Sequence, residues 1–147
     1  MEPNFLSTKI LALTWKQPFG TLMHKGKWET RIWPTNYRGY VMTCLGKQFY
    51  TNEEIIQISG DYQFSRILQA IQGDPTVHKY GYAISIGKLT DCRPMKVSDE
   101  DRCFVQYRPG LHVHVYDEVQ LIEPIPWRGT QGFTEVPKEV KEKIIFI

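Results

Sequence analysis

The sequence predicts an α+β fold that is mainly β, a small β-barrel with peripheral helices. Three observations predict it. Several segments alternate apolar and polar residues with period two or run as short apolar stretches of strand length, a few amphipathic helical patterns lie between them, and no regular βαβ rhythm is present. With 147 residues, 41% hydrophobic and 23% charged, the chain has the size and composition of one packed domain spanning 1–147.

Lys9 to Trp15, KILALTW, reads as a buried strand. Gln17 and Pro18 follow, and a proline suits a first helical turn because its missing N–H would have no partner there. Phe19, Leu22 and Met23 then fall at helical spacing, with Gly26 placed to end the turn. Trp28 to Trp33 and Tyr40 to Cys44 read as two strands joined by the turn-rich PTNYRG. A helical insert is expected at about 51–73. Thr51 and Glu54 have capping-box spacing, Ser59-Gly60 breaks the pattern, and Asp61 can cap a second helix whose Phe64, Ile67, Leu68 and Ile71 share one face. Tyr80 to Thr90 has strand composition with flanking glycines, Ser98 starts a helical turn, and Arg108-Pro109-Gly110 is a turn. His112 to Ile122 alternates, placing Val113 and Val115 on one face and His112, His114 and Tyr116 on the other. A Pro/Gly-punctuated loop, a strand around Phe133 to Val136 and a short helix opened by Pro137 complete the chain.

Cys44, Cys92 and Cys103 are widely spaced with no CxxC, the pattern of intracellular thiols. No run approaches the roughly 20 apolar residues of a membrane span. The expected location is therefore cytoplasmic, or nuclear in a eukaryote, with no membrane partner. Net charge is only +2, but Lys16, Lys25, Lys27, Arg31 and Arg38 against Glu29 give a local balance of +4, which leaves the remainder of the chain at −2. Localised charge of this kind points to a binding patch.

If Lys27 begins a strand, Lys27, Glu29, Arg31 and Trp33 share one face, and Trp28, Thr30 and Ile32 form the other, the expected core face. Trp15, Gln17, Tyr37 and Arg38 lie nearby in sequence. Flat rings and forked donors of this kind hold bases and phosphates, and one stacked base contributes roughly 1–3 kcal/mol against about 0–1 kcal/mol for a surface ion pair. An ordinary exposed strand face with alternating charge is the competing reading. Gln131, in the loop Gly129 to Gly132, can offer a donor and an acceptor to a base edge, or belong to a plain surface turn. His112 and His114 share a face but lack an identifiable third ligand, and no metal or cofactor is expected. Asp99, Glu100 and Asp101 read as a solvated helix start. Walker, GxGxxG, HExxH and GxSxG signatures are absent from the sequence.

The order of segments LTWKQPFGTLMHKG, ETRIWPTNYRG, YGYAISIGKLTDC and PGLHVHVYDEVQLIEPIPWRGTQGF resembles the ASCH domain family, a branch of the PUA-like β-barrel superfamily associated with RNA binding. The resemblance covers nearly the whole chain apart from the insert at about 51–73. It implies a PUA-like barrel whose cleft takes RNA or a modified nucleoside, with single-stranded DNA as a further possible partner. The family pattern Gly-x-Lys-x-x-Glu-x-Arg is matched by Gly26, Glu29 and Arg31, with Lys27 two rather than three positions before Glu29.

Some small members of the superfamily are amidohydrolases that deacetylate N4-acetylcytidine with a Lys, a Thr and a Glu. In those enzymes the Thr stands where Glu29 stands here. Thr30 keeps the enzyme's spacing from Lys27 but is out of register by one. His114 stands where many relatives of similar length have a Trp. Binding through Trp15, Gln17, Lys27, Glu29, Arg31, Trp33, Tyr37, Arg38 and Gln131 is therefore the leading expectation. The alternatives are an amidohydrolase on N4-acylated cytidine using Lys27, Glu29 and Thr30, a metal-independent ribonuclease, and a protein-interaction module of the transcription or translation machinery.

Overall fold

A computed structural model describes residues 4–147. The fold is α+β and mainly β, a six-stranded sheet curled into a half-barrel. The strands are β1 (Ile10–Gln17), β2 (Glu29–Arg31), β3 (Gly39–Phe49), β4 (Tyr82–Pro94), β5 (His112–Pro126) and β6 (Thr134–Glu135), in the spatial order β2-β5-β4-β3-β1-β6. Among the described residues only β1 and β3 pair in parallel. Strand β1 is apolar on both faces because both are covered, which is why it reads as a continuous run and not as an alternation.

One core lies inside the curl, where Leu13, Trp15, Val41, Leu89, Val113 and Tyr116 meet Phe19, Ile55 and Ile67. A second lies on the outer face, where Ile10, Ala12, Met42, Ile86 and Ile122 are covered by Val136, Val140 and Ile144. After β1, Pro18 leads into the short helix α1 (Phe19–Leu22), a 3₁₀ turn (Met23–Lys25) and Gly26, whose φ of 93° ends the turn. Gly87 sits at a register shift between β4 and β5, where a Cβ would lie 2.6 Å from Val119 Cγ2.

Helix α2 (Asn52–Ile71) carries the expected capping box: Thr51 Oγ1 accepts from the Glu54 N–H and Glu54 Oε1 accepts from the Thr51 N–H. It is two helical pieces joined at Gly60, whose φ of 81° and ψ of 165° are non-helical. The expected face is only partly core. Ile67 is buried, Phe64 and Ile71 are half-buried and Leu68 is exposed. The kink serves docking, because it leaves the Ile58 carbonyl free to accept the Gln106 N–H at 3.2 Å. Gln63 Nε2 donates to Asp101 Oδ1 at 2.6 Å, and the Arg66 guanidinium lies 4.4 Å from the Phe104 ring centroid. These contacts bind α2 to the segment around α3 (Glu100–Cys103) as one wall.

Two sequence expectations are corrected here. Asp99 is not a solvated helix start: it is buried and takes a bidentate contact from Arg93, 2.8 Å on each oxygen, plus the Lys96 N–H. The face Trp28, Thr30, Ile32 is not the core face. Ile32 is 81% exposed and Trp28 is only half-buried, shielded by the guanidinium of Arg102 at 4.4 Å. Strand β2 presents its charged face to the interior instead.

The kink and the cap make separable contributions. Gly60→Ala should destabilise the protein by roughly 1–3 kcal/mol, because the backbone stays in a region that side chains rarely adopt and the new Cβ meets Gln106 Nε2 at 2.5 Å. Thr51→Ala should cost about 1 kcal/mol through loss of the cap. Urea unfolding of both variants checks the order.

Candidate functional site

The ends of the sheet, β2 and β6, do not pair with each other. Side chains close the seam instead. From β2, Arg31 Nη2 donates to the Thr14 carbonyl on β1 at 3.2 Å, and the Trp33 ring packs edge-on against Phe133, just before β6, with centroids 5.5 Å apart. A cleft of about 670 Å³ opens beside this seam, within the roughly 300–1,000 Å³ of small-molecule sites.

Its floor is an ionic triad. Glu29 Oε1 accepts from Lys27 Nζ at 3.3 Å and from the Thr30 N–H at 2.9 Å, while Glu29 Oε2 accepts from Arg31 Nη2 at 3.2 Å. Lys27 also donates to the Trp28 carbonyl at 2.9 Å, and its ammonium lies 5.2 Å from the Phe19 ring centroid. Lys27 is 1% exposed and Glu29 6%. Burial alone would raise the Glu29 pKa. The two cations and the Thr30 N–H outweigh it and hold the carboxyl below its ordinary value, so it is ionised at neutral pH and the triad carries a net +1.

The triad is framed by rings. The Arg31 guanidinium lies 5.3 Å from the Trp15 centroid and 5.9 Å from that of Trp33. His114, the register partner of Glu29 on β5, packs edge-on against Trp33 at 4.9 Å, with its Nε2 3.0 Å from the Trp33 carbonyl. A carbonyl only accepts, so the proton sits on Nε2. Burial lowers the His114 pKa against the opposing effects of Trp33 and Glu29, which keeps the ring neutral at pH 7. Trp15 Nε1 and Arg31 Nε, both on residues that line the cleft, are buried without hydrogen-bond partners, as is the Tyr116 hydroxyl.

Of the residues singled out from sequence, the structure brings Trp15, Lys27, Glu29, Thr30, Arg31, Trp33 and Gln131 to the cleft. It does not bring the others. Gln17 is fully buried and spends its amide on Thr21 and the Thr76 carbonyl, tying β1 to the segment after α2. Tyr37 braces the backbone by donating to the Tyr40 carbonyl at 2.8 Å, and Arg38 is exposed beside Asp91. Thr30 borders the cleft, but the Lys27 hydrogen bonds go to Trp28 and Glu29 and not to the Thr30 hydroxyl. His114 is committed to Trp33, and among the described residues no group of three or more His, Cys, Asp or Glu is placed to hold a metal ion. Cys103 lies near Lys27 and Glu29, but burial pushes its thiol up to about 11, so it supplies no thiolate at neutral pH.

The structure adds lining residues that were not among the expected site residues. Lys16 and Arg108 are exposed cations on the lining, and Tyr50, Ile58, Val105 and Leu111 form an apolar side. They come from β1, the start and middle of the helical insert, and the segment between α3 and β5. Only Lys16 had a local signal, as a member of the basic run.

No protein-family model matches the chain, and no curated protein matches it.

The triad has a testable acid signature. Glu29→Gln should destabilise the protein by about 3 kcal/mol at pH 7, because it leaves a fully buried ammonium and a mostly buried guanidinium without their counter-charge. The folded pKa of Glu29 is depressed, so its contribution is complete above the unfolded carboxyl value near 4.3 and is lost as pH falls through the lower folded value. Urea unfolding should therefore show the gap between wild type and variant closing on acidification below about pH 4.

Proposed function

We propose that the cleft binds RNA or a modified nucleoside, one nucleotide at a time. The observation that carries this reading is the ionised Lys27–Glu29–Arg31 triad on the floor of an aromatic-framed cleft. Arg31 and Lys27 supply donors for ring acceptors or a phosphate, Glu29 Oε2 keeps lone-pair capacity for a base N–H, and Trp33 supplies a ring. Exposed Lys16 and Arg108 at the mouth suit the backbone of a strand whose base enters. The cleft volume suits a single nucleotide. An RNA partner fits a cytoplasmic or nuclear location. Among the described residues no helix is long and apolar enough to cross a membrane.

The geometry favours binding over amide hydrolysis. Glu29 is held as a carboxylate between two cations, so it accepts protons' hydrogen bonds and is poorly suited to donate a proton to a leaving group. Lys27 is engaged by Glu29 and the Trp28 carbonyl, away from the Thr30 hydroxyl that it would have to activate.

Tryptophan fluorescence titrated with short single-stranded RNA should show saturable quenching that weakens with salt, because phosphate contacts release counterions. Lys16→Ala and Arg108→Ala should each reduce the slope of log K against log salt by about 1. Arg31→Ala with Trp33→Ala should weaken binding at least tenfold when titrated below its own urea midpoint, where circular dichroism shows the variant folded despite the lost seam contacts. Unchanged affinity in that double variant contradicts the proposal, and turnover of N4-acetylcytidine by the wild type would convert the reading to an enzyme.

A further inference from the structure

Beside the cleft, one close contact between three segments gathers three cations. Thr14 on β1 meets two glycines from elsewhere in the chain: a Cβ on Gly46 would lie 3.2 Å from Thr14 Cγ2, and a Cβ on Gly129 would lie 3.1 Å from Thr14 Oγ1. Both distances are tighter than side chains usually allow, so β1, β3 and the loop after β5 approach closely there.

The residues flanking this contact are basic. Lys47 follows Gly46, Arg128 precedes Gly129, and Lys16 lies two residues beyond Thr14 on the same strand face. The strand register brings the two lysines together. Trp15 pairs with Leu45 and Gln17 with Phe49, so Gly46, Lys47 and Gln48 bulge opposite Lys16 alone. All three cations are exposed, and among the described residues none of them forms a salt bridge. The segments 9–28, 44–52 and 124–134 contain no Asp or Glu. Glu54, at the start of α2, feels Lys16, but its carboxylate is held by the Thr51 cap, which is the first cause of its lowered pKa.

The surface under these cations is fixed. The Gly81 N–H donates to the Leu45 carbonyl at 2.8 Å and the Trp127 N–H to the Gly81 carbonyl at 2.9 Å, which fastens the ends of β3, β4 and β5 in a row. Tyr80 and Tyr82, on either side of Gly81, are exposed. The same surface runs into the cleft, because Thr14, Lys16 and Thr130 line both. Free cations complement a phosphate chain, and exposed rings beside them favour a nucleic acid, whose bases stack, over an acidic peptide.

We infer that Lys16, Lys47 and Arg128 form a phosphate-binding surface that carries a single strand onward from the nucleotide in the cleft. This inference rests on the nucleic-acid reading above and adds a second contact region outside the cleft. Lys47 and Arg128 belong to this region alone, which makes them the residues to test.

The test is fluorescence titration of the full chain with two probes, the four nucleoside monophosphates and a single-stranded RNA of about eight nucleotides. The variant is Lys47→Gln with Arg128→Gln, which keeps much of both hydrocarbon stems, and an unchanged urea midpoint shows that it is folded. It should lower the slope of log K against log salt for the oligomer by about 2 and weaken oligomer binding at least tenfold at low salt. Affinity for the monophosphates should not change. Wild-type slope and affinity for the oligomer in this variant would overturn the inference and leave the cleft reading standing. Equal competition by poly-glutamate would also overturn it, since the surface would then take any acidic chain. Oligomer binding that is lost in this variant but kept in Arg31→Ala with Trp33→Ala would support the phosphate surface and remove the cleft reading. No oligomer binding by the wild type overturns both.

Discussion

The ion pair on each side of the Glu29 carboxylate is the constraint on which the rest of this molecule is arranged. Burying two cations and one anion in a small barrel is costly unless the charges satisfy one another, and here Glu29 accepts from Lys27, Arg31 and the Thr30 N–H together. Once β2 turns this face inward, other features follow. Arg31 reaches across the open seam to the Thr14 carbonyl, the half-barrel closes without a β2–β6 ladder, and Trp33 is drawn against Phe133 and His114. Closure and site are thus the same set of contacts.

This arrangement explains why the local charge of the region misleads when read as a surface patch. Period two shows that Lys27, Glu29, Arg31 and Trp33 share a face, and they do. It cannot say which face is inside, and the hydrophobic count points the wrong way: Trp28, Thr30 and Ile32 look like core and lie half-buried to fully exposed. A three-residue edge strand carries too little pattern to decide. The charges won because they neutralise within the strand, while Trp28 found a partner in Arg102, far away in sequence.

Signals that depend on neighbours in sequence were readable. The capping box at Thr51 and Glu54, the break at Ser59-Gly60 and the turn at Gly26 all appear, because each is decided by local backbone chemistry. The strands were readable in kind but not in length: β3 continues to Phe49 and β5 to Pro126, where ladder hydrogen bonds override weak propensity, while the end strands are shorter than their patterns, β2 at Glu29–Arg31 and β6 at Thr134–Glu135. What sequence could not reveal is long-range. Asp99 is buried because Arg93 reaches it, Gln17 is spent on Thr21 and Thr76, and Tyr50, Ile58, Val105 and Arg108 reach the cleft through the docking of the helical insert.

On the binding function proposed above, recognition takes place at the interior charge cluster, and the exposed cations at the mouth act mainly on encounter and salt dependence. The most direct test of this account is side-chain ¹⁵N NMR of Lys27 Nζ and Arg31 Nε during titration with short single-stranded RNA. Saturable shifts of both signals, tracking the binding curve, are the predicted result. Shifts confined to Lys16, Arg108 and other exposed cations, with Lys27 and Arg31 unmoved at saturation, would show that nucleic acid stays on the surface and would contradict the central claim.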